Sequence, residues 1–188
     1  MKDNVDEMLP LVDEQGNVIG QATRGVCHNG VERPLHPVVH LHVFDPQGRL
    51  YLQKRPEWKD IQPGKWDTAV GGHIDLGESV DEALRREVRE ELGITDFTPE
   101  WLGRYVFESD RERELVNVFS ATVDAAPQPS EELDGGKFWT REEILQAIAS
   151  DPSPLTPNFA AEYRRLFCGN QEGRKGPDSG PGPGCREV

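Results

Sequence analysis

The sequence predicts an α/β domain of the α+β kind, an α/β/α sandwich built on a mixed central sheet. Two observations predict it. Strand-like runs bounded by turn residues alternate along the chain with segments of helical period. Helices interspersed in this way bury their apolar stripes against both faces of a sheet. The length of 188 residues fits one ordinary domain.

The elements follow in order. Leu11 to Arg24 carries a QGN turn between short apolar pieces and reads as a hairpin. Val38 to Phe44 and Leu50 to Arg55 flank a DPQG turn and read as a second hairpin. Further strands fit Trp66 to Val70, Trp101 to Phe107, Leu115 to Val123 and Lys137 to Trp139. Ser79 with Glu82 three residues on is a capping box, opening a helix to Leu92 that Gly93 stops. Thr140 with Glu143 opens a second helix, to about Ala149, and Thr156 followed by Pro157 opens a third, ending near Phe167. Residues 1–168 make one folded unit. From Gly169 the chain runs GNQEGRKGPDSGPGPGCREV, with no aliphatic side chain before Val188. Such a segment buries too little apolar surface to offset its ordering entropy, so 169–188 reads as a disordered tail.

Charge narrows the function. With 34 acidic against 21 basic residues the chain carries −13, which argues against a nucleic-acid polymer as partner. A protein of this charge that handles polyphosphates needs metal ions to supply positive charge. The opening MKDNVDEMLP lacks the pattern of a signal peptide, and no run approaches the roughly 18 apolar residues of a membrane helix. Cys27, Cys168 and Cys185 show no CxxC spacing. A reduced, cytoplasmic setting is expected, with no membrane partner.

The segment Gly72 to Ile94, GHIDLGESVDEALRREVREELGI, fits the spacing G-x5-E-x7-R-E-U-x-E-E-x-G-U, where U is bulky and aliphatic. Seven named letters coincide by chance in about one window in 10^8 at typical residue frequencies. On a helix advancing 100° per residue, Val80, Leu84 and Val88 lie about 20°, 60° and 100° from Glu87. Glu91 falls within the same stripe, whereas Glu82, Arg85 and Arg89 point away, as a solvated face does. Glu87 and Glu91 would thus be desolvated side by side, where like charges repel and burial is costly. A divalent cation removes both problems, and oxygen ligands select Mg²⁺ or Mn²⁺. Arg86, four residues before Glu90, is placed to orient that carboxylate. Gly71 and Gly72 at a strand end let a backbone carbonyl approach a cation, and Gly77 allows the turn before the cap.

This segment resembles the signature of the Nudix hydrolases and matches it in full. The resemblance implies a metal-dependent hydrolase that cleaves a phosphoanhydride in a nucleoside diphosphate linked to some group X. It implies a metal cluster on Glu87, Glu90 and Glu91 with Gly72, Arg86 beside them, a small-molecule diphosphate substrate, and a homodimer as a common assembly. Outside the segment the chain is similar to the isopentenyl-diphosphate isomerase branch of the same fold. There the likeness implies a second metal set, His28, His36 and His73 with Glu112 and Glu114, Glu114 also being a candidate base. The position of that branch's catalytic cysteine is Gly71 here, which favours hydrolase over isomerase. A catalytically silent nucleotide-binding module is the third reading; it would be expected to lose carboxylates that this chain keeps.

Other residues have plainer readings. His40 and His42 share one strand face with Val38 and Phe44 and read as buried, hydrogen-bonded side chains rather than ligands. Lys54 and Arg55 end a strand and are candidates for substrate phosphate, with Arg24 and Lys65 weaker ones. Trp66 reads as core, and Trp58, in a polar loop, is open to stacking on a base.

Overall fold

The structure, a computed structural model, describes residues 4–168; the expected tail lies outside the described residues. Strands β1 (Met8–Val12) and β2 (Val18–Thr23) form a separate antiparallel pair, the first expected hairpin. A single turn that the sequence reading did not include, α1 (Arg24–Cys27), follows it, with the Thr23 hydroxyl accepting from the Val26 amide at 3.3 Å.

Seven strands make the main sheet: β3 (Leu35–Phe44), β4 (Leu50–Lys54), β5 (Trp66–Thr68), β6 (Val70–His73), β7 (Glu100–Glu108), β8 (Arg113–Thr122) and β9 (Gly136–Trp139). Their order is β5-β4-β3-β8-β7, with β6 added to β3 and β9 to β4. β3 and β8 run parallel from Leu35↔Arg113 to Phe44↔Thr122, and the other pairs are antiparallel, so the sheet is mixed as expected.

The second hairpin differs from its sequence reading. β3 and β4 pair only at Val43↔Tyr51 and Phe44↔Leu50, then diverge like the arms of a fork. The stretch Trp66 to Val70, read as one strand, breaks at Ala69 because a straight strand cannot follow both arms. β5 pairs with β4, whereas β6 crosses to β3 and pairs His73 with Val38 through Val70 with Leu41. That crossing carries Gly71, Gly72 and His73 to the middle of the fork.

Helices cover both faces. Alternate residues Val39, Leu41 and Val43 of β3 pack against Ala83, Leu84, Val88 and Leu92 of α2 (Val80–Leu92). On the other face Leu50 and Leu52 meet Ile144 and Ile148 of α3 (Arg141–Ser150) and Phe159 of α4 (Pro157–Tyr163). The chain leaves α4 through a wider π-type turn, Arg164–Cys168, where a regular helix to Phe167 was expected. Among the described residues, no helix is long and apolar enough to cross a membrane.

The cap of α2 forms as its sequence requires. The Ser79 hydroxyl accepts from the Glu82 amide at 3.3 Å, the Glu82 carboxylate accepts from the Ser79 amide at 2.9 Å, and Gly93 ends the helix at φ 66°. Ser79→Ala should lower unfolding stability by about 1 kcal/mol in a urea titration, with the number of bound divalent cations unchanged.

Candidate metal and catalytic centre

The register of α2 against β6 sets the site. A Cβ on Gly72 would stand 2.0 Å from the Glu87 carboxyl carbon, so the helix approaches this strand only because residue 72 has no side chain. Glu91 lies one turn on. Its carboxylate accepts from the Gly71 amide at 3.3 Å and from the Gln53 side-chain amide at 3.4 Å. Glu90 points outward, its side chain 51% exposed against 14% for Glu87. Burial pushes the Glu87 carboxyl up to about 7 against the pull of Arg86. Glu91 goes well above the carboxylate range, through burial and then the neighbouring Glu87. Two desolvated carboxylates beside a strand end form an oxygen donor set that fits a hard divalent cation.

Arg86 plays a wider part than orienting Glu90. It pairs bidentately with Glu78, at 2.9 and 2.8 Å, and also reaches Glu87 at 2.7 Å and the His73 carbonyl at 3.0 Å. Glu90 accepts the longest of its hydrogen bonds, at 3.3 Å, and Asp75 stands farther off at 3.8 Å. The i, i+4 spacing found this pair and missed Glu78, which lies in the loop before the helix.

The next residue of β6 looks to the other side. Nε2 of His73 lies 3.2 Å from Nε2 of His28, which lies 3.3 Å from Nε2 of His36. Glu112 places a carboxylate oxygen 3.7 Å from the same His28 nitrogen, and Glu114 is the register partner of His36. His36 Nδ1 donates to the Pro34 carbonyl at 3.1 Å, which turns an unprotonated Nε2 inward. Burial holds His36 down to about 4 and His73 well below its usual value, so both rings are neutral at physiological pH. Burial and the nearby Glu114 push Glu112 up to about 8; Glu114 is raised by burial as well. Neutral imidazole nitrogens converging beside carboxylates are a donor set that a divalent metal fits.

The phosphate candidates divide. Arg55 lines the cavity between these groups, with Nη1 on Asp67 at 3.1 Å and Nη2 on the Ile61 carbonyl at 2.8 Å. Lys54 does not line it: its ammonium bonds the Gly64 carbonyl and lies 5.2 Å from the centre of the Trp66 ring, because its alternate position on β4 faces α3 and α4. Trp66 is core, whereas Trp58 sits half-exposed at the cavity rim. The sequence reading missed Glu162. It receives both His40 and His42, and its signal was a lone acid between Phe159 and Tyr163 in an otherwise uncharged helix.

Residues 34–159 match the NUDIX domain. An uncharacterised Nudix hydrolase of Yersinia pestis is 37% identical over 142 residues, covering 74% of this chain and 76% of that protein. An isopentenyl-diphosphate Delta-isomerase of Kocuria rhizophila is 31% identical over 170 residues, covering 87% and 94%. A Deinococcus radiodurans protein of known crystal structure superposes with a TM-score of 0.73 at 29% identity, over 86% of this chain and 99% of that one. The chain belongs to the Nudix family. Its enzyme type is the Nudix pyrophosphohydrolase, a type that generally works with a divalent metal.

The raised carboxyls carry a sign. Glu87 and Glu112 are raised to about 7 and about 8 from an ordinary glutamate value of 4.5. Their contribution to the metal-free fold is fully present below about 4.5 and is lost progressively as pH rises from there through about 7 for Glu87 and about 8 for Glu112. The melting temperature in EDTA should therefore fall across this window, and Mn²⁺ should restore it at the alkaline end. A melting temperature indifferent to Mn²⁺ at pH 8 would contradict the donor sets described above.

Proposed function

We propose that the protein hydrolyses a phosphoanhydride bond in a nucleoside diphosphate linked to X, or a related small molecule, with Mg²⁺ or Mn²⁺. The observation that carries this reading is the desolvated pair Glu87 and Glu91 pressed against Gly71 and Gly72. In it, Glu87, Glu90 and Glu91, with the Gly72 carbonyl, hold the cation. A cation held by these residues would supply positive charge to the phosphoryl oxygens and lower the pKa of a bound water. Arg86 fixes the Glu87 carboxylate so that it does not swing out to solvent. Arg55 meets a phosphate oxygen in exchange for its present carbonyl partner. Glu114, held above the ordinary carboxylate range by burial and lining the same cavity, takes the proton from the attacking water at a carboxylate oxygen. The reading includes a cytoplasmic setting, and a homodimer is an assembly common for the family.

A second reading has an observation of its own. The ring nitrogens of His28, His36 and His73 converge, with a Glu112 oxygen 3.7 Å from His28 and Glu114 beside His36 in register, which supports the set that the isomerase likeness implies. Against it, Gly71 offers no side chain for proton transfer.

A panel of nucleoside di- and triphosphates, nucleotide sugars, dinucleotides and isopentenyl diphosphate, assayed with Mg²⁺ and with Mn²⁺, separates the readings. Phosphate or a nucleoside monophosphate should appear from at least one nucleotide, and Glu90→Gln and Glu91→Gln should each slow its release by about 10²-fold or more. Glu114→Gln should slow release while Mn²⁺ affinity at the helix stays within about threefold. Isopentenyl diphosphate in deuterated water should take up no label; labelled product would favour the isomerase reading.

A further inference from the structure

On the face of β3 turned away from α2, three side chains meet one carboxylate. Glu162 of α4 accepts from His40 Nδ1 at 3.0 Å and from His42 Nε2 at 2.6 Å, and the Tyr105 hydroxyl donates to it at 2.5 Å. The carboxylate is sealed from solvent, and so is His42, packed against Phe159 and Phe167. An ionised carboxylate is tolerable there because three donors surround it.

His40 differs from His42 in where its second nitrogen lies. Its Nε2 makes no hydrogen bond among the described residues, and the ring lines the cavity that also holds Glu91 and Glu114. A Cβ on Gly71 would stand 3.4 Å from His40 Cδ2 and 3.5 Å from Nε2. Any other residue at 71 would put its side chain against this ring edge, so glycine is what leaves Nε2 uncovered. Burial works against a charged imidazole here, but the Glu162 carboxylate more than offsets it and raises His40 to about 9. At neutral pH, then, Nε2 carries a proton to donate.

One other cation of the cavity is fully committed, and a second is partly so. Arg86 uses its donors on Glu78, Glu87, Glu90 and the His73 carbonyl; Arg55 uses its own on Asp67 and the Ile61 carbonyl. A cationic N–H facing a cavity crowded with carboxylates suits an anionic oxygen brought by the ligand. We propose that His40 contacts the substrate, its Nε2 donating to a phosphate oxygen that lies over Gly71, with Glu162 as the residue that positions the ring. This deepens the diphosphate reading above and rests on it.

The test uses the full chain and the non-hydrolysable probe methylenediphosphonate with Mg²⁺. In nitrogen-15 spectra of the histidine rings, the His40 Nε2 resonance should shift on titration of the probe. His40→Asn keeps a donor near Nδ1 for Glu162 and removes the cavity-facing nitrogen; it should raise KM about tenfold or more for whichever nucleotide the panel identifies. His40→Gln, which returns a neutral donor close to Nε2, should recover part of that loss. Glu162→Gln should move the His40 resonances and raise KM while Mn²⁺ affinity stays unchanged. If the probe shifts only His28, His36 and His73, or shifts nothing, His40 does not touch substrate. An unchanged KM in His40→Asn overturns the proposal equally. Should the variants fail to fold, the wild-type titration decides alone. A chain that turns over no nucleotide but shows the His40 shift would sink the hydrolase reading and leave a phosphate-binding site at His40.

Discussion

One guanidinium holds the working parts together. Arg86 uses all five of its N–H groups: two on Glu78, one each on Glu87 and the His73 carbonyl, and a longer one on Glu90. These bonds tie three pieces of chain to one side chain: the loop before α2, the acidic face of α2, and the end of β6. The rigid fork of the side chain matters as much as its charge, since a lysine has neither the number nor the fixed directions of donors. Without it, Glu78 and Glu87 would be carboxylates left partly buried beside other acids, and an uncompensated buried charge costs more than a paired one contributes.

The carboxylates themselves pull the other way. In a chain of net charge −13, grouping Glu87, Glu91, Glu112 and Glu114 around one cavity concentrates repulsion where solvent cannot screen it. The apolar packing of α2 on β3, with Ala83, Leu84, Val88 and Leu92 fully buried, supplies the stability that lets such a site persist. The sandwich is the frame, and the strained chemistry sits at its fork.

Much of this was legible in the sequence where the determinants are local. The capping boxes at Ser79 and Thr140 form as their spacing requires, and Glu87 and Glu91 fall on the buried side of their helix as the 100° step dictates. The histidine set was legible only by resemblance, since His28 and His73 are 45 positions apart. What failed was long-range. Ala69 looks like the middle of one strand because nothing local says that β3 and β4 diverge. Lys54 looked like a phosphate ligand because strand ends often face sites, but its partners Gly64 and Trp66 come from a loop and an edge strand. Glu162 sits about 120 positions from the histidines it receives, and no periodicity connects them.

β6 is the partition between two donor sets. Gly72 turns toward Glu87, His73 turns away into the histidines, and the Gly71 amide bonds Glu91 while its other side faces His40. The wall between the oxygen-rich and nitrogen-rich compartments is therefore one strand thick, with no side chains at Gly71 and Gly72 to insulate it. Beyond the effect of burial, Glu87 raises Glu91 within the helix set and Glu114 raises Glu112 within the strand set, so a titration curve belongs to each pair rather than to a single carboxylate.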